Sequence, residues 1–217
     1  RELKSHEHMF LSPEGNRIAF LGAGGYTHIV DSKSQQWVTD VKINTAVRSC
    51  AWQDERVLYT SGLDADIYKW DLRMTARCLS RFKHEDGTCS SWLAAGGSDY
   101  LAVGAESGAV SIYNADDIPE GSGTAPTLKS ALNLTTKITA IKFHPSLQCM
   151  SFASSDLNDQ LRMMHMPSCE IYQGWPTQRT PLRKVKCIDF SPRGAFMAIG
   201  SSTGKVLLYK LKHFKNA

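Results

Sequence analysis

CAWQDERVLYTSGLDADIYKWD, from Cys50 to Asp71, is the stretch whose reading decides the fold. It opens on an apolar run, turns through a charged QDER, and continues as a strand rich in small residues. A second turn, LDAD, leads to a third strand that ends in a large side chain. Alternating short runs separated by turn residues read as consecutive antiparallel strands. The same layout recurs in FLSPEGNRIAFLGAGGYTHIVD from Phe10, SWLAAGGSDYLAVGAESGAVSIYN from Ser91, IKFHPSLQCMSFASSDLNDQLRMMH from Ile141 and IDFSPRGAFMAIGSSTGKVLLYK from Ile188. With Ser12, Trp52, Trp92, His144 and Ser191 as equivalent positions, the steps are 40, 40, 52 and 47 residues. A four-stranded propeller blade takes about 40 to 45 residues. The 52-residue step contains an insertion, NADDIPEGSGTAPTLKS, from Asn114 to Ser130. Its two prolines, two glycines and three acids predict a surface loop with little to bury.

The chain is therefore expected to be all-β, with about five four-stranded blades at roughly 6–42, 43–83, 84–131, 132–175 and 176–217. GAGGY at 22–26 lies between strands, so it reads as a turn and not as a phosphate loop. The second segment carries the sharpest motif, SGLDADIYKWDLR from Ser61 to Arg73. Trp70-Asp71, with Asp64 six residues before the Trp, resembles a WD repeat. That resemblance makes Ser61, Asp64, Trp70 and Asp71 structural residues, the Asp reaching a His, a Ser/Thr and the strand Trp through buried hydrogen bonds. The positions aligned with Trp70 are Val30, Tyr113, Met164 and Tyr209, and those aligned with Asp64 are Gly24, Ser107, Asn158 and Thr203. One repeat of five keeps both residues, and its upstream His is missing. His84 takes that place one repeat later. Packing must then carry most of the stability.

Several strings resemble one family more closely than WD repeats in general. They are DADIYKWDLRMTARCLSRF, GAVSIYNADD, ALNLTTKITAIKF, LRMMHMPSCEIYQGWP and DFSPRGAFMAIGSSTGKVLLYKLKHF, in this order. Together they resemble the U3 small nucleolar RNA-associated protein 18 family, a WD-repeat component of the small-subunit processome. The resemblance spans nearly all of the chain. It implies a WD40-like β-propeller of which residues 1–217 are the C-terminal part of a seven-bladed ring, the N-terminal blades and a flexible arm lying outside it. Functions of that arm, such as recruiting the RNA exosome's helicase, are not expected of these residues. The implied partners are other WD-repeat and helical-repeat proteins of the processome and the U3 particle with pre-rRNA, and the implied location is the nucleolus.

Composition agrees with a globular chain. Of 217 residues, 42% are hydrophobic and 21% charged, which excludes collagen-like, coiled-coil and wholly disordered classes. No run approaches the roughly 18 apolar residues that a membrane helix needs, so no membrane partner is expected. Cys50, Cys78, Cys89, Cys149, Cys169 and Cys187 are widely spaced, with no CxxC pair. They read as free, mostly buried thiols of a reducing compartment, and no metal site is expected. His6 and His8 are near each other but have no further ligand nearby.

Charge is unevenly placed. Residues 175–217 hold nine Lys/Arg against Asp189 alone, a net +8, while the other 174 residues carry −4. Between His84 and Leu128 seven acids stand without a single Lys or Arg. Opposite poles of this size suit charged partners. The candidate binding segment is QGWPTQRTPLRKVK, from Gln173 to Lys186. Trp175 has no alternating strand around it to bury it, and Arg179, Arg183, Lys184 and Lys186 follow. An aromatic anchor beside arginines is the residue mix of binding hot spots, and the same cations suit RNA phosphates. The competing reading tucks Trp175 against its own blade, with the charges in water.

Three function classes follow. A non-catalytic processome scaffold supporting U3-dependent pre-rRNA processing and 18S rRNA maturation is favoured by the family resemblance. A generic WD adaptor, such as a ubiquitin-ligase substrate receptor, is equally open to the fold alone. An enzyme is not expected. The inner-strand starts (Met9, Ser49, Ser90, Ala140, Cys187) include no carboxylate, and the chain has no GxSxG, HExxH or phosphate loop. Neither a cofactor nor a small-molecule substrate is expected.

Overall fold

The computed structural model describes residues 8–177 and 180–214. Its regular structure is β apart from two short 3-10 turns. Five hydrogen-bonded sheets follow one another along the chain. The first comprises β1 (Met9–Leu11), β2 (Arg17–Leu21), β3 (Tyr26–Asp31) and β4 (Trp37–Lys42) in sequential antiparallel order. The second is built likewise from β5 (Val47–Trp52), β6 (Val57–Gly62), β7 (Asp66–Asp71) and β8 (Ser80–Lys83). The third contains β9 (Ser90–Gly96), β10 (Tyr100–Ala105) and β11 (Val110–Asn114). By residue contacts the chain divides into two compact units, residues up to 105 with 111–130, and 106–110 with 131 onward.

The insertion differs from its expected form. Gly121–Gly123 is a strand, β12, that pairs in parallel with β8 and becomes a fifth strand on the second sheet. The amide of Gly121 donates to the Leu79 carbonyl at 2.8 Å. Thr127–Ala131 is β13, the outer strand of the third sheet beside β11. Ile118 is buried among the side chains of the two sheets, and the Thr127 hydroxyl donates to Glu85 at 2.7 Å. An exposed strand edge is sticky, so the β8 edge accepts even a Gly-Ser-Gly segment that has almost no apolar surface of its own.

Within the first unit, neighbouring sheets stack face to face. Ala19, Ile29 and Val41 of the first sheet meet Trp52, Leu58 and Trp70 of the second. On the other face of the second sheet, Tyr59, Ile67 and Phe82 meet Leu93, Leu101 and Tyr113 of the third. Central strands covered on both faces do not alternate apolar with charged residues, and VLYTSG accordingly carries no charge while five of its six residues are buried. Backbone links cross each seam. The Trp52 indole donates to the Phe10 carbonyl at 2.8 Å, and the Leu93 amide donates to the Ser49 hydroxyl at 3.0 Å.

The second unit holds a four-stranded sheet, β14 (Ala140–Phe143), β15 (Cys149–Ala153), β16 (Leu161–His165) and β17 (Glu170–Ile171). A three-stranded sheet follows, β18 (Val185–Phe190), β19 (Phe196–Ser201) and β20 (Val206–Lys210). Cys149, Leu161 and Met163 pack on Leu182, Val185, Met197 and Ile199. Along β20, the outward side chains Val206 and Leu208 are 71% and 66% exposed. Cys50, Cys149 and Cys169 are buried, Cys78 and Cys89 half-buried, and Cys187 exposed, all as free thiols.

Candidate functional site

The WD motif sits where β6, β7 and the turn between them meet. The Trp70 indole N–H donates to Thr60 Oγ1 at 2.9 Å, both groups being buried. The hydroxyl that receives the Trp is therefore Thr60, one residue before Ser61. Ser61 lies opposite Ser49 and makes only a long 3.5 Å contact with its carbonyl. Strand alternation explains the difference. Trp70 pairs with Leu58 across the β6–β7 ladder, so side chains of the same parity, including Thr60, share its face. Asp64 accepts the Tyr68 hydroxyl at 3.1 Å through Oδ2. Its Oδ1 is buried without a hydrogen-bond partner, as is the Thr45 hydroxyl, and both atoms crowd the space beside Gly62. Thr45 and Asp64 thus approach each other's space at Gly62 without a hydrogen bond to either buried oxygen.

Asp71 leaves the motif. Its carboxylate takes the Arg73 backbone amide at 2.9 Å and a bidentate contact from the Arg73 guanidinium. Hydrogen bonding to that side chain holds the Asp71 carboxyl down at about 2. A parallel pair, Arg81 with Asp66, ties β8 to β7. The residues aligned with Trp70 (Val30, Tyr113, Met164, Tyr209) all lie on third strands, in β3, β11, β16 and β20. In blade terms the alignment by repeats coincides with equivalent strands, although the polar residues have changed.

Trp175 is half-buried. Its ring packs edge-on against Tyr209 at 5.2 Å and joins the apolar cluster of the second unit. The burial that the local sequence does not supply comes from a strand 34 residues further on. Arg179 lies outside the described residues. Leu182, fully buried, pins the segment, while the Arg183 amide donates to Asp159 Oδ1 at 2.8 Å and the Lys184 carbonyl accepts from Ser202. Arg183, Lys184 and Lys186 all expose their side chains.

Beside Trp175 is a cavity of about 490 Å³, lined also by Gln148, Cys149, Met163, His165, Tyr172, Tyr209 and 210–214. None of Arg183, Lys184 and Lys186 lines it; the cations there are Lys210 and Lys212. Near the ring, the lysines come from β20 and the turn after it rather than from 183–186. The regular alternation of KVLLYKLKHF was the available signal. Burial pushes the Cys149 thiol up to about 11, so it serves the cavity as a neutral apolar surface. Among the described residues no group of three or more His, Cys, Asp or Glu is placed to hold a metal ion.

These sheets define a WD-repeat protein with a β-propeller fold. The family model for the WD domain, G-beta repeat, matches residues 177–210. Over its whole length the chain is 37% identical to the U3 small nucleolar RNA-associated protein 18 homolog of Arabidopsis thaliana, covering 40% of that protein. It is 31% identical to the Homo sapiens homolog over 95% of this chain and 37% of that one. It is also 31% identical to U3 small nucleolar RNA-associated protein 18 of Saccharomyces cerevisiae, over 91% of this chain and 37% of the yeast protein. The chain belongs to the U3 small nucleolar RNA-associated protein 18 family, and it spans about two fifths of the length of these relatives.

Proposed function

We propose that the chain is a non-catalytic scaffold of the small-subunit processome, acting in U3-dependent pre-rRNA processing and 18S rRNA maturation from the nucleolus. The observation that carries this reading is the similarity, from end to end, to proteins named for association with U3 small nucleolar RNA. Stacked blades present broad rigid faces and loop rims, which suits a part that positions neighbours and leaves chemistry to them. The charge poles give such faces opposite partners, acidic on 84–128 and basic on 175–217. Partners on this reading are WD-repeat and helical-repeat proteins of the processome and the U3–pre-rRNA particle. Depleting the intact protein from cells tests it. Small-subunit rRNA falls and its precursors accumulate while large-subunit rRNA persists; unchanged small-subunit rRNA under full depletion rejects the reading.

A further inference from the structure

We propose that the cavity beside Trp175 receives one unstacked base of single-stranded RNA, with Tyr172 and Trp175 as its stacking surfaces and Lys212 meeting a flanking phosphate. The inference rests on the reading of the chain as part of an RNA-bearing assembly. At about 490 Å³ the cavity falls within the ordinary range for small ligands. Its floor is Cys149 and Met163, and no carboxylate lines it. Trp175 meets Tyr209 edge-on at 5.2 Å, and Tyr172 meets His165 edge-on at 6.2 Å. In an edge-on pair each ring keeps at least one face uncovered by its partner. Tyr172 is also 44% exposed, so an open aromatic face stands at the cavity.

Every base has a flat face, and stacking on aromatic side chains is how single strands are held without sequence preference. A duplex keeps its bases stacked inside and has nothing to insert. Charge points the same way. Lys210 holds its ammonium 6.0 Å from the Phe196 ring centre, which leaves Lys212, exposed in the turn after β20, as the lining lysine for a phosphate. The surrounding 175–217 segment, with nine cations and one acid, would draw a polyanion toward it.

The test uses the intact protein and fluorescence anisotropy of a labelled ten-nucleotide oligouridylate, with an RNA duplex of equal length and a polyglutamate peptide as competitors. The single strand binds and the duplex competes poorly. Tyr172→Ala weakens binding about tenfold or more without moving the melting temperature, and Trp175→Phe, which keeps a ring, weakens it less. Lys212→Gln lowers the salt slope by about one. No binding of oligouridylate, or equal binding by Tyr172→Ala and Lys212→Gln, overturns the proposal. Displacement by polyglutamate at lower concentration than by unlabelled oligouridylate also overturns it and makes the cavity a site for acidic protein. If U3 RNA still co-purifies with the intact protein after such a failure, the base pocket falls and the processome reading stands.

Discussion

His144 and Gly194, 50 residues apart in the chain, are joined by a hydrogen bond in which the imidazole Nε2–H donates to the glycine carbonyl at 2.9 Å. The tautomer is fixed from the other side, because Nδ1 accepts the Ser146 amide at 3.1 Å. Phe214 stacks on the ring at 3.9 Å, and Phe190 meets it edge-on at 5.2 Å. A Cβ at Gly194 would lie 2.3 Å from the imidazole, at a φ of +76°. This contact seams the two sheets of the second unit, as the Trp52 indole seams the first two sheets of the other.

His144→Ala is expected to destabilise by about 2–4 kcal/mol, from lost packing and a buried carbonyl left without its donor. Gly194→Ala is expected to cost more than about 1 kcal/mol, because backbone and space both refuse a side chain. Urea denaturation measures both. Since they break one contact, the double variant should fall short of their sum.

Trp70→Phe removes the donor to Thr60 and is expected to cost about 1–2 kcal/mol, with Thr60→Val similar and the pair strongly coupled in a double-mutant cycle. Asp64→Ala leaves the Tyr68 hydroxyl without an acceptor, yet it also removes a buried oxygen that had no partner. Its cost is therefore expected at the low end, about 1 kcal/mol. Thermal melts of the four variants check the ranking.

His84 sets a pH dependence. Burial pushes its pKa below the ordinary 6.5, opposed in part by Asp86 and Glu85. Its Nδ1 accepts the Asp86 amide at 3.2 Å, and its buried Nε2 has no hydrogen-bond partner. Below 6.5 the unfolded chain takes up a proton that the folded one resists, so the unfolded state binds more protons there. Stability is expected to be full above 6.5 and to decline as pH falls beneath it. His84→Gln should flatten that part of a stability-versus-pH curve measured by urea denaturation.

The β12 strand is expected to protect the β8 edge. Ser122→Pro breaks the parallel pairing of Gly121–Gly123 with Ser80–Phe82. Hydrogen exchange of amides in 80–83 should quicken by about tenfold or more, since an edge without cover opens locally. Unchanged exchange there would mean that β12 contributes no cover.

Repetition made the blades legible. Apolar spacing and turn residues recur at nearly constant steps, and each third strand emerged at the position aligned with Trp70. Contacts between distant strands were not legible in the same way. Thr60 was missed as the partner of Trp70 because register, not adjacency, decides which hydroxyl shares the face of the indole. β12 was missed because Gly-Ser-Gly has no apolar alternation; the neighbouring edge imposes the strand. Whether Trp175 is covered stayed open in the sequence because its neighbour in the ring contact, Tyr209, lies 34 residues on in β20, and the lysines of the cavity come with it.

The central claim is that the chain works inside the U3 particle, and affinity purification of the intact protein from cells, with identification of bound proteins and RNA, tests it most directly. The expected result is recovery of small-subunit assembly factors together with U3 RNA, retained at physiological salt. Recovery of ubiquitin-ligase subunits, with neither U3 RNA nor small-subunit factors, would contradict the claim and leave a general WD adaptor in its place.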